Sequence, residues 1–163
     1  LQWQHALILF ETMPEATVSP DVVSYNATMS ACEKGGQWIH ALSLLALLKK
    51  SEVTPNVIGY NASISACKKG SQWALALGLF EVMSEAEVTP DVVSYNAIIS
   101  ACVKGDQWQQ AVDFLEKMQK NKVIPNIISY NTAIAACKVS GEWQQALQLF
   151  SSMAAAQVTP DVV

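Results

Sequence analysis

Apolar residues along the chain recur at helical spacing and are separated by short polar breaks. Within residues 22–34, Tyr25, Met29 and Cys32 lie at i, i+4 and i+7, which places them in one stripe on a helix. Asp21 precedes this segment, and its carboxylate can accept hydrogen bonds from the free N–H groups of a first helical turn. The pattern therefore predicts a helix, helix A, over residues 22–34.

A second amphipathic segment follows at once. Gly35 and Gly36 are expected to end helix A, because glycine tolerates the left-handed conformation found at helix C-termini. In residues 37–50, beginning with Trp38, apolar positions again recur every three or four residues, which predicts a second helix, helix B. Residues 51–55 form a short connector, so the whole segment is a helical hairpin.

This hairpin repeats every 35 residues. Tryptophan, tyrosine, cysteine and proline all keep the period, at Trp3, Trp38, Trp73, Trp108, Trp143, Tyr25, Tyr60, Tyr95, Tyr130, Cys32, Cys67, Cys102, Cys137, Pro20, Pro55, Pro90, Pro125 and Pro160. A fixed period of about 20–50 residues indicates stacked supersecondary units. One hairpin cannot cover its own apolar stripes, so neighbouring hairpins must stack to bury them. The sequence predicts an all-α solenoid of helix-turn-helix repeats.

One array of repeats is predicted to fill residues 1–163. Residues 1–21 form a partial repeat, and the first, second, third and fourth unit are residues 22–56, 57–91, 92–126 and 127–161. Residues 162–163 begin a further repeat. We expect the chain to be a window of a longer array that contains no targeting segment of its own.

Composition narrows the possible functions. The four cysteines occur once per unit, without the short spacings of a metal site, so we expect small core residues and neither metal nor cofactor. No apolar run approaches the roughly 18–20 residues that would span a bilayer, and no membrane is expected as a partner. The net charge is −4 and arginine is absent, which is unfavourable for contacts with phosphates.

The motifs at the start and end of each unit resemble those of the pentatricopeptide repeat family. The starts read VVSYNA, VIGYNA, VVSYNA and IISYNT, and the ends read TPN, TPD, IPN and TPD. The period of 35 separates them from tetratricopeptide repeats, which run at about 34 residues. The resemblance covers the entire chain and implies a right-handed superhelical α-solenoid that binds single-stranded RNA, one base per repeat.

The resemblance also implies roles for particular positions of each unit. The second residue packs against bases, and the fifth and last residues together select the base. The base-flanking residues are then Val23, Ile58, Val93 and Ile128, and the selecting pairs are Asn26 with Asn56, Asn61 with Asp91, Asn96 with Asn126, and Asn131 with Asp161. The position that contacts phosphate in the family is filled by Lys34, Lys69 and Lys104, whereas the fourth unit has Val139 there and Lys138 one residue earlier.

Helix geometry supports this assignment independently. Positions 2, 5, 9 and 13 share one stripe of helix A, and in the first unit they are Val23, Asn26, Ser30 and Lys34. Such a mixture is a poor core face but suits a base and a phosphate, so we expect the selecting side chains to lie open on the inner surface. A single asparagine there would be explained by local capping; four at one position indicate a function. The helix A segments also hold five lysines against one glutamate, whereas the rest of the chain holds five lysines against thirteen acidic residues.

The chemistry of the pairs indicates pyrimidines. An asparagine amide offers a donor and an acceptor, while an aspartate adds acceptors only, and uracil carries an N3–H where cytosine carries a lone pair. In the family, Asn with Asp selects uracil and Asn with Asn selects either pyrimidine, so the four units are expected to read Y-U-Y-U. The family usually acts in organellar RNA processing, stability, editing or translation, which implies a mitochondrion or plastid.

The sequence favours two other classes of function less strongly. A helical solenoid can instead be a protein-interaction scaffold, because stacked hairpins also cradle peptides. An enzyme is not expected, because the chain has no zinc deaminase signature and no carboxylate cluster able to hold a metal ion. The asparagine-rich stripe favours RNA binding over both.

Overall fold

The computed structural model describes residues 2–51, 53–156 and 158, and every regular element within them is an α-helix. The helices are α1 (Gln2–Thr12), α2 (Val22–Lys34), α3 (Trp38–Lys50), α4 (Val57–Lys69), α5 (Trp73–Glu85), α6 (Val92–Lys104), α7 (Trp108–Lys120), α8 (Ile127–Val139) and α9 (Trp143–Ala155). Helix A of the four units is α2, α4, α6 and α8, and helix B is α3, α5, α7 and α9. The predicted all-α solenoid is confirmed.

Each helix A begins at an N-cap side chain, as the sequence predicts. Oδ1 of Asp21 accepts a hydrogen bond from the backbone N–H of Ser24 at 2.8 Å. The last residue of each of the first three units caps the following helix A in the same way: Asn56, Asp91 and Asn126. An N-cap of this type stabilises a helix by about 1 kcal/mol. The last residue of a unit therefore has a structural role in the next unit.

The turn between helices A and B differs from the prediction at one of its two glycines. Gly36 has φ 69° and adopts the left-handed conformation, and the N–H of Gln37 behind it donates to the carbonyl of Cys32 at 2.8 Å. Gly35, however, has φ −80°, which any residue can adopt. The left-handed backbone therefore favours glycine at position 36, although Ser71 and Asp106 adopt it at the equivalent positions of the next two units. Packing must explain the glycine at position 35.

That packing comes from the tryptophan of the preceding unit. A Cβ atom placed on Gly35 would overlap the indole ring of Trp3, and Gly70 bears the same relationship to Trp38. Gly105 repeats it with Trp73. The tryptophans were predicted to be core residues, but Trp38 and its equivalents are half-buried and Trp143, on the last described helix, is exposed. The indoles of Trp3, Trp38 and Trp73 pack at the boundaries between adjacent units.

The core itself lies between the helices A and their neighbours. Each helix A packs on the helix A of the next unit, and helices α3, α5 and α7 pack both on their own helix A and on that of the following unit. The repeated tyrosines and cysteines are buried there, and all four cysteines are free thiols, as predicted. Desolvation raises the pKa of Cys67 and of Cys102 to about 11, so these thiols are neutral core residues. This stacking leaves the first turns of the helices A aligned side by side.

Among the described residues, no helix is both long and apolar enough to cross a membrane.

Candidate functional site

The first turns of the four helices A present one aliphatic side chain each to solvent. Val23, Ile58, Val93 and Ile128 have between 54% and 66% of their surface exposed. They lie at the second residue of each unit, two residues after the N-cap, so the helix periodicity turns them away from the buried tyrosine two residues later. Exposed aliphatic residues repeated at one position form a row that is suited to apolar contact with a ligand.

The fifth residue of a unit and the last residue of the same unit are joined by a hydrogen bond. Nδ2 of Asn61 donates to Oδ1 of Asp91 at 3.1 Å, across 30 residues of sequence. The corresponding bonds are 3.0 Å from Asn26 to Asn56 and 3.3 Å from Asn96 to Asn126. The structure thus brings three of the four predicted selecting pairs together. Asp161 lies outside the described residues, so the fourth pair is represented by Asn131 alone.

One oxygen of the last residue serves both the pair and the helix cap. Oδ1 of Asp91 accepts from the backbone N–H of Ser94 at 2.8 Å, besides the bond from Asn61, and the oxygen of the Ser94 hydroxyl lies 2.9 Å away. Oδ1 of Asn126 is held in the same way by Ser129, whereas Oδ1 of Asn56 accepts from the backbone N–H groups of Ile58 and Gly59. The last residues of the units therefore differ chemically at their second terminal atom. This atom is Nδ2 in Asn56 and Asn126 and Oδ2 in Asp91.

Asp91 carries its charge at neutral pH. Desolvation alone would raise the pKa of its carboxyl group, but the hydrogen bonds from the N–H of Ser94 and the amide of Asn61 outweigh it. The result is a pKa below the usual aspartate value. An ionised Oδ2 is an acceptor only, in contrast to the donor Nδ2 of Asn56 and Asn126.

The amides at the fifth position are less open than the sequence suggested. Asn26 is 7% exposed and Asn61 is 9% exposed, while Asn96 is half-buried and Asn131 is exposed. Their partners, Asn56 and Asp91, lie at the N-terminus of the next helix A, so both amides lie against the following unit. The expectation that both members of every pair lie open is therefore wrong for these two asparagines; Asp91 is exposed and Asn56 is half-buried.

A surface cavity of about 340 Å³ is lined by residues of the first, second and third units. The predicted residues Ile58, Asn61, Asp91 and Val93 line it, which combines the second residues of two consecutive units with the selecting pair between them. Ser30, Glu33, Ala62 and Ser65 complete the wall. Aliphatic surfaces from two neighbouring units thus flank one hydrogen-bonding pair.

The lysines at the end of helix A fall into two groups. Lys34, Lys69 and Lys104 are all exposed, but Nζ of Lys69 lies 2.6 Å from a carboxylate oxygen of Glu33 in the preceding unit. In the fourth unit Val139 is 63% exposed at this position, and Lys138 beside it is exposed too. The predicted phosphate contacts therefore differ in their charge environment.

The sequence interpretation did not assign a role to the third residue of each unit. The hydroxyl of Ser94 donates to Oδ1 of Asn61 at 2.6 Å, and Ser129 donates to Asn96 at the same distance. The signal was present, since serine occupies this position in every unit except the second, which has Gly59. A contact between units could not be read from that repetition alone. Within the described part of the chain, no group of three or more His, Cys, Asp or Glu side chains could hold a metal ion.

Comparison with protein families gives matches along most of the chain. The family described as pentatricopeptide repeat domain matches residues 8–70 and 43–105. The PPR repeat family matches residues 90–138, and a single PPR repeat matches residues 128–158. No match is found among curated proteins.

Several solved structures share the fold. PPR10 in complex with an 18-nt psaJ RNA element is 24% identical, with a TM-score of 0.81 over 98% of this chain and 24% of that one. PPR10 from maize is 27% identical, with a TM-score of 0.73 over 99% of this chain and 23% of that one. The PPR domain of Arabidopsis thaliana protein-only RNase P 1 in complex with tRNA is 20% identical, with a TM-score of 0.74 over 83% of this chain and 72% of that one. The chain thus spans about a quarter of the length of PPR10.

Proposed function

This chain belongs to the pentatricopeptide repeat family, and from that membership we propose that it binds single-stranded RNA with one base held by each repeat. The observation that carries the proposal is the surface cavity lined by two exposed aliphatic side chains, Ile58 and Val93, and by the hydrogen-bonded pair of Asn61 and Asp91. The likeness to PPR10 and to the PPR domain of RNase P 1, both crystallised with RNA, supports it.

In this proposal each base lies between the second residues of two consecutive units. Ile58 and Val93 both line the cavity and would contact the two faces of one pyrimidine. Every base has an apolar face, so this contact supplies affinity without selecting the base. Selection is left to the polar pair at the cavity wall.

The base edge would meet the free atom of the last residue in each unit. Ionised Oδ2 of Asp91 can accept from N3–H of uracil and repels the N3 lone pair of cytosine. Nδ2 of Asn56 and Nδ2 of Asn126 can donate to cytosine N3 or to a uracil carbonyl. With Asp161 assigned by its place in the repeat, the four units would read Y-U-Y-U, 5′ to 3′ along the chain.

Phosphates would lie along the lysines at the ends of the helices A. Lys34 and Lys104 are exposed there, and Lys69 is held by Glu33. Base stacking contributes about 1–3 kcal/mol per base, and association costs on the order of 4–15 kcal/mol. Four units should therefore bind weakly, in the micromolar range or above.

We also propose that the protein serves organellar RNA processing, stability, editing or translation, in a mitochondrion or a plastid, by binding rather than by catalysis. Family membership supports this role, in which the chain would bind RNA. Fluorescence microscopy of the full-length protein fused to a reporter tests the location. Accumulation outside both organelles would contradict it.

A titration with pyrimidine-rich oligonucleotides tests RNA binding. Replacing Asn26, Asn61, Asn96 and Asn131 with alanine should weaken binding of the U-containing oligonucleotide by at least about tenfold, because each amide positions one selecting residue. Unchanged affinity would favour a protein-interaction scaffold instead. Far-UV circular dichroism of the variant checks that the helices are retained.

Exchanging the selecting residues tests the assignment of bases. Asn56→Asp keeps the capping oxygen and replaces the donor with an acceptor, so preference for uracil over cytosine should rise at the first base. Asp91→Asn should abolish that preference at the second base. Gln109→Glu, at an exposed position on helix B, is the control for added charge and should leave both preferences unchanged.

A further inference from the structure

Each fifth-position amide in the second and third units is held at both of its ends. Nδ2 of Asn61 donates to Asp91, and Oδ1 of Asn61 accepts from the hydroxyl of Ser94 at 2.6 Å. Asn96 is held in the same way by Asn126 and Ser129. Two hydrogen bonds at opposite ends fix the plane of an amide, so these two side chains have a defined orientation.

In the first unit, Asn26 lacks the hydrogen bond from a serine hydroxyl, because the third residue of the second unit is glycine. Gly59 occupies the position of Ser94 and Ser129, and no described residue donates to Oδ1 of Asn26, which is buried. The orientation of this amide is nonetheless assigned without ambiguity. Oδ1 of Asn56 already accepts from the N–H groups of Ile58 and Gly59, so the atom of Asn26 that faces it must be the donor, Nδ2.

The amide of Asn26 also occupies space that a serine side chain would need. A Cβ atom on Gly59 would lie 2.8 Å from Oδ1 of Asn26 and 3.0 Å from Cε of Met29. Both neighbours are ends of flexible side chains. A serine at position 59 would therefore shift the amide of Asn26, and its hydroxyl would also supply the missing hydrogen-bond donor.

We propose that the third residue of each following unit is a positioning residue for base selection, acting through the fifth-position amide. The inference rests on the proposed function, and it predicts that the first and third units differ although both carry an Asn–Asn pair. Asn96, fixed at both ends, holds Asn126 firmly and selects its base sharply. Asn26 has a buried unpaired oxygen, which favours rotation of the side chain, so Asn56 is held less firmly.

Binding titrations with oligonucleotides that differ at one base test this difference. The ratio of Kd for adenine to Kd for cytosine should be about three- to tenfold larger at the third base than at the first, the effect of one hydrogen bond. Ser129→Gly should reduce the ratio at the third base to that of the first, and Gly59→Ser should raise the ratio at the first. Equal ratios at the two bases in the wild-type protein would overturn the inference.

A purely structural role for Ser129 has a different signature. Its hydroxyl also belongs to the capping box of α8, so Ser129→Gly is expected to lower stability. Loss of stability alone would weaken binding of all oligonucleotides alike and leave the ratio unchanged, which would overturn the inference. Ser129→Thr keeps the hydroxyl and should retain the wild-type ratio at the third base.

Hydrogen exchange of the side-chain amides, followed by NMR in the protein without RNA, provides the second measurement. Nδ2 protons of Asn61 and Asn96 should exchange at least about tenfold more slowly than those of Asn26. Ser129→Gly should remove the difference for Asn96 and leave Asn61 slow. Equal rates for the three wild-type asparagines overturn this inference alone, whereas failure to bind any RNA overturns the proposed function and, with it, the effect on selection.

Discussion

Nζ of Lys69 lies 2.6 Å from a carboxylate oxygen of Glu33, and this ion pair joins the ends of two consecutive helices A. Lys69 is one of three lysines at the proposed phosphate position, whereas Glu33 is the single acidic residue in the four helix A segments. In the proposed function, the glutamate would compete with phosphate for the ammonium group at the boundary between the first and second units.

Glu33→Gln should free Lys69 for RNA. We expect affinity to rise several-fold at low salt, and the slope of log K against log salt concentration to steepen by about 0.7 for the one additional phosphate contact. Titrations at several salt concentrations measure both. Glu116→Gln, which disrupts the pair with Lys120 on helix B, is the matched control and should leave the slope unchanged. An unchanged slope for Glu33→Gln would argue against Lys69 as a phosphate ligand.

Two glycine substitutions separate packing from backbone effects. In Gly70→Ala the added Cβ atom overlaps the indole of Trp38, although the backbone at Gly70, with φ −78°, accepts alanine. The free energy of unfolding should fall by about 1–3 kcal/mol, the usual result of overpacking. Gly78→Ala, within α5 and with no atom within 4 Å of the new Cβ, should raise it by about 1 kcal/mol. Urea denaturation measures both, and equal effects would refute the role of the indole.

The buried tyrosine hydroxyls are not equivalent. The hydroxyl of Tyr95 accepts from Nδ2 of Asn121, 26 residues later, at 2.7 Å. The residue 26 positions after Tyr60 is Ala86, which has no polar side chain. The hydroxyl of Tyr60 is therefore buried with no partner among the described residues. Tyr95→Phe should lower the free energy of unfolding by about 1 kcal/mol. Tyr60→Phe should leave it unchanged or raise it. A larger loss for Tyr60→Phe in thermal denaturation would contradict this ranking.

The buried thiols predict a loss of stability at alkaline pH. Desolvation raises the pKa of Cys67 from 9.0 to about 11, so the unfolded chain loses this proton at lower pH than the folded one. The stabilising contribution is complete below pH 9.0 and falls as the pH rises through about 11. Chemical denaturation between these values should show a shallower decline for Cys67→Ala than for the wild-type protein. Parallel declines would show that this thiol does not titrate as proposed.

Local information in the sequence was enough to predict the helices. The stripe of Tyr25, Met29 and Cys32 and the N-cap at Asp21 place helix A at residues 22–34, and the structure has α2 there. Helix B begins at Trp38, one residue later than predicted. Periodicity and capping depend on residues within a few positions of each other, so one repeat contains the information, and the 35-residue period extends it to all units.

The contacts between adjacent units could not be predicted from the 35-residue period, because they depend on how the units stack. The burial of Asn26 and Asn61, the ion pair between Glu33 and Lys69 and the contact of Trp38 with Gly70 all join residues in adjacent units. Such contacts depend on the distance and angle between hairpins, and side chains at identical repeat positions acquire different partners wherever a neighbour changes. The sequence by itself determined the helices, the period and the face that carries the polar stripe. Only the tertiary structure decided which amides are held, which lysine is neutralised and which oxygen is left unpaired, because those outcomes depend on packing across a boundary of more than 30 residues of chain.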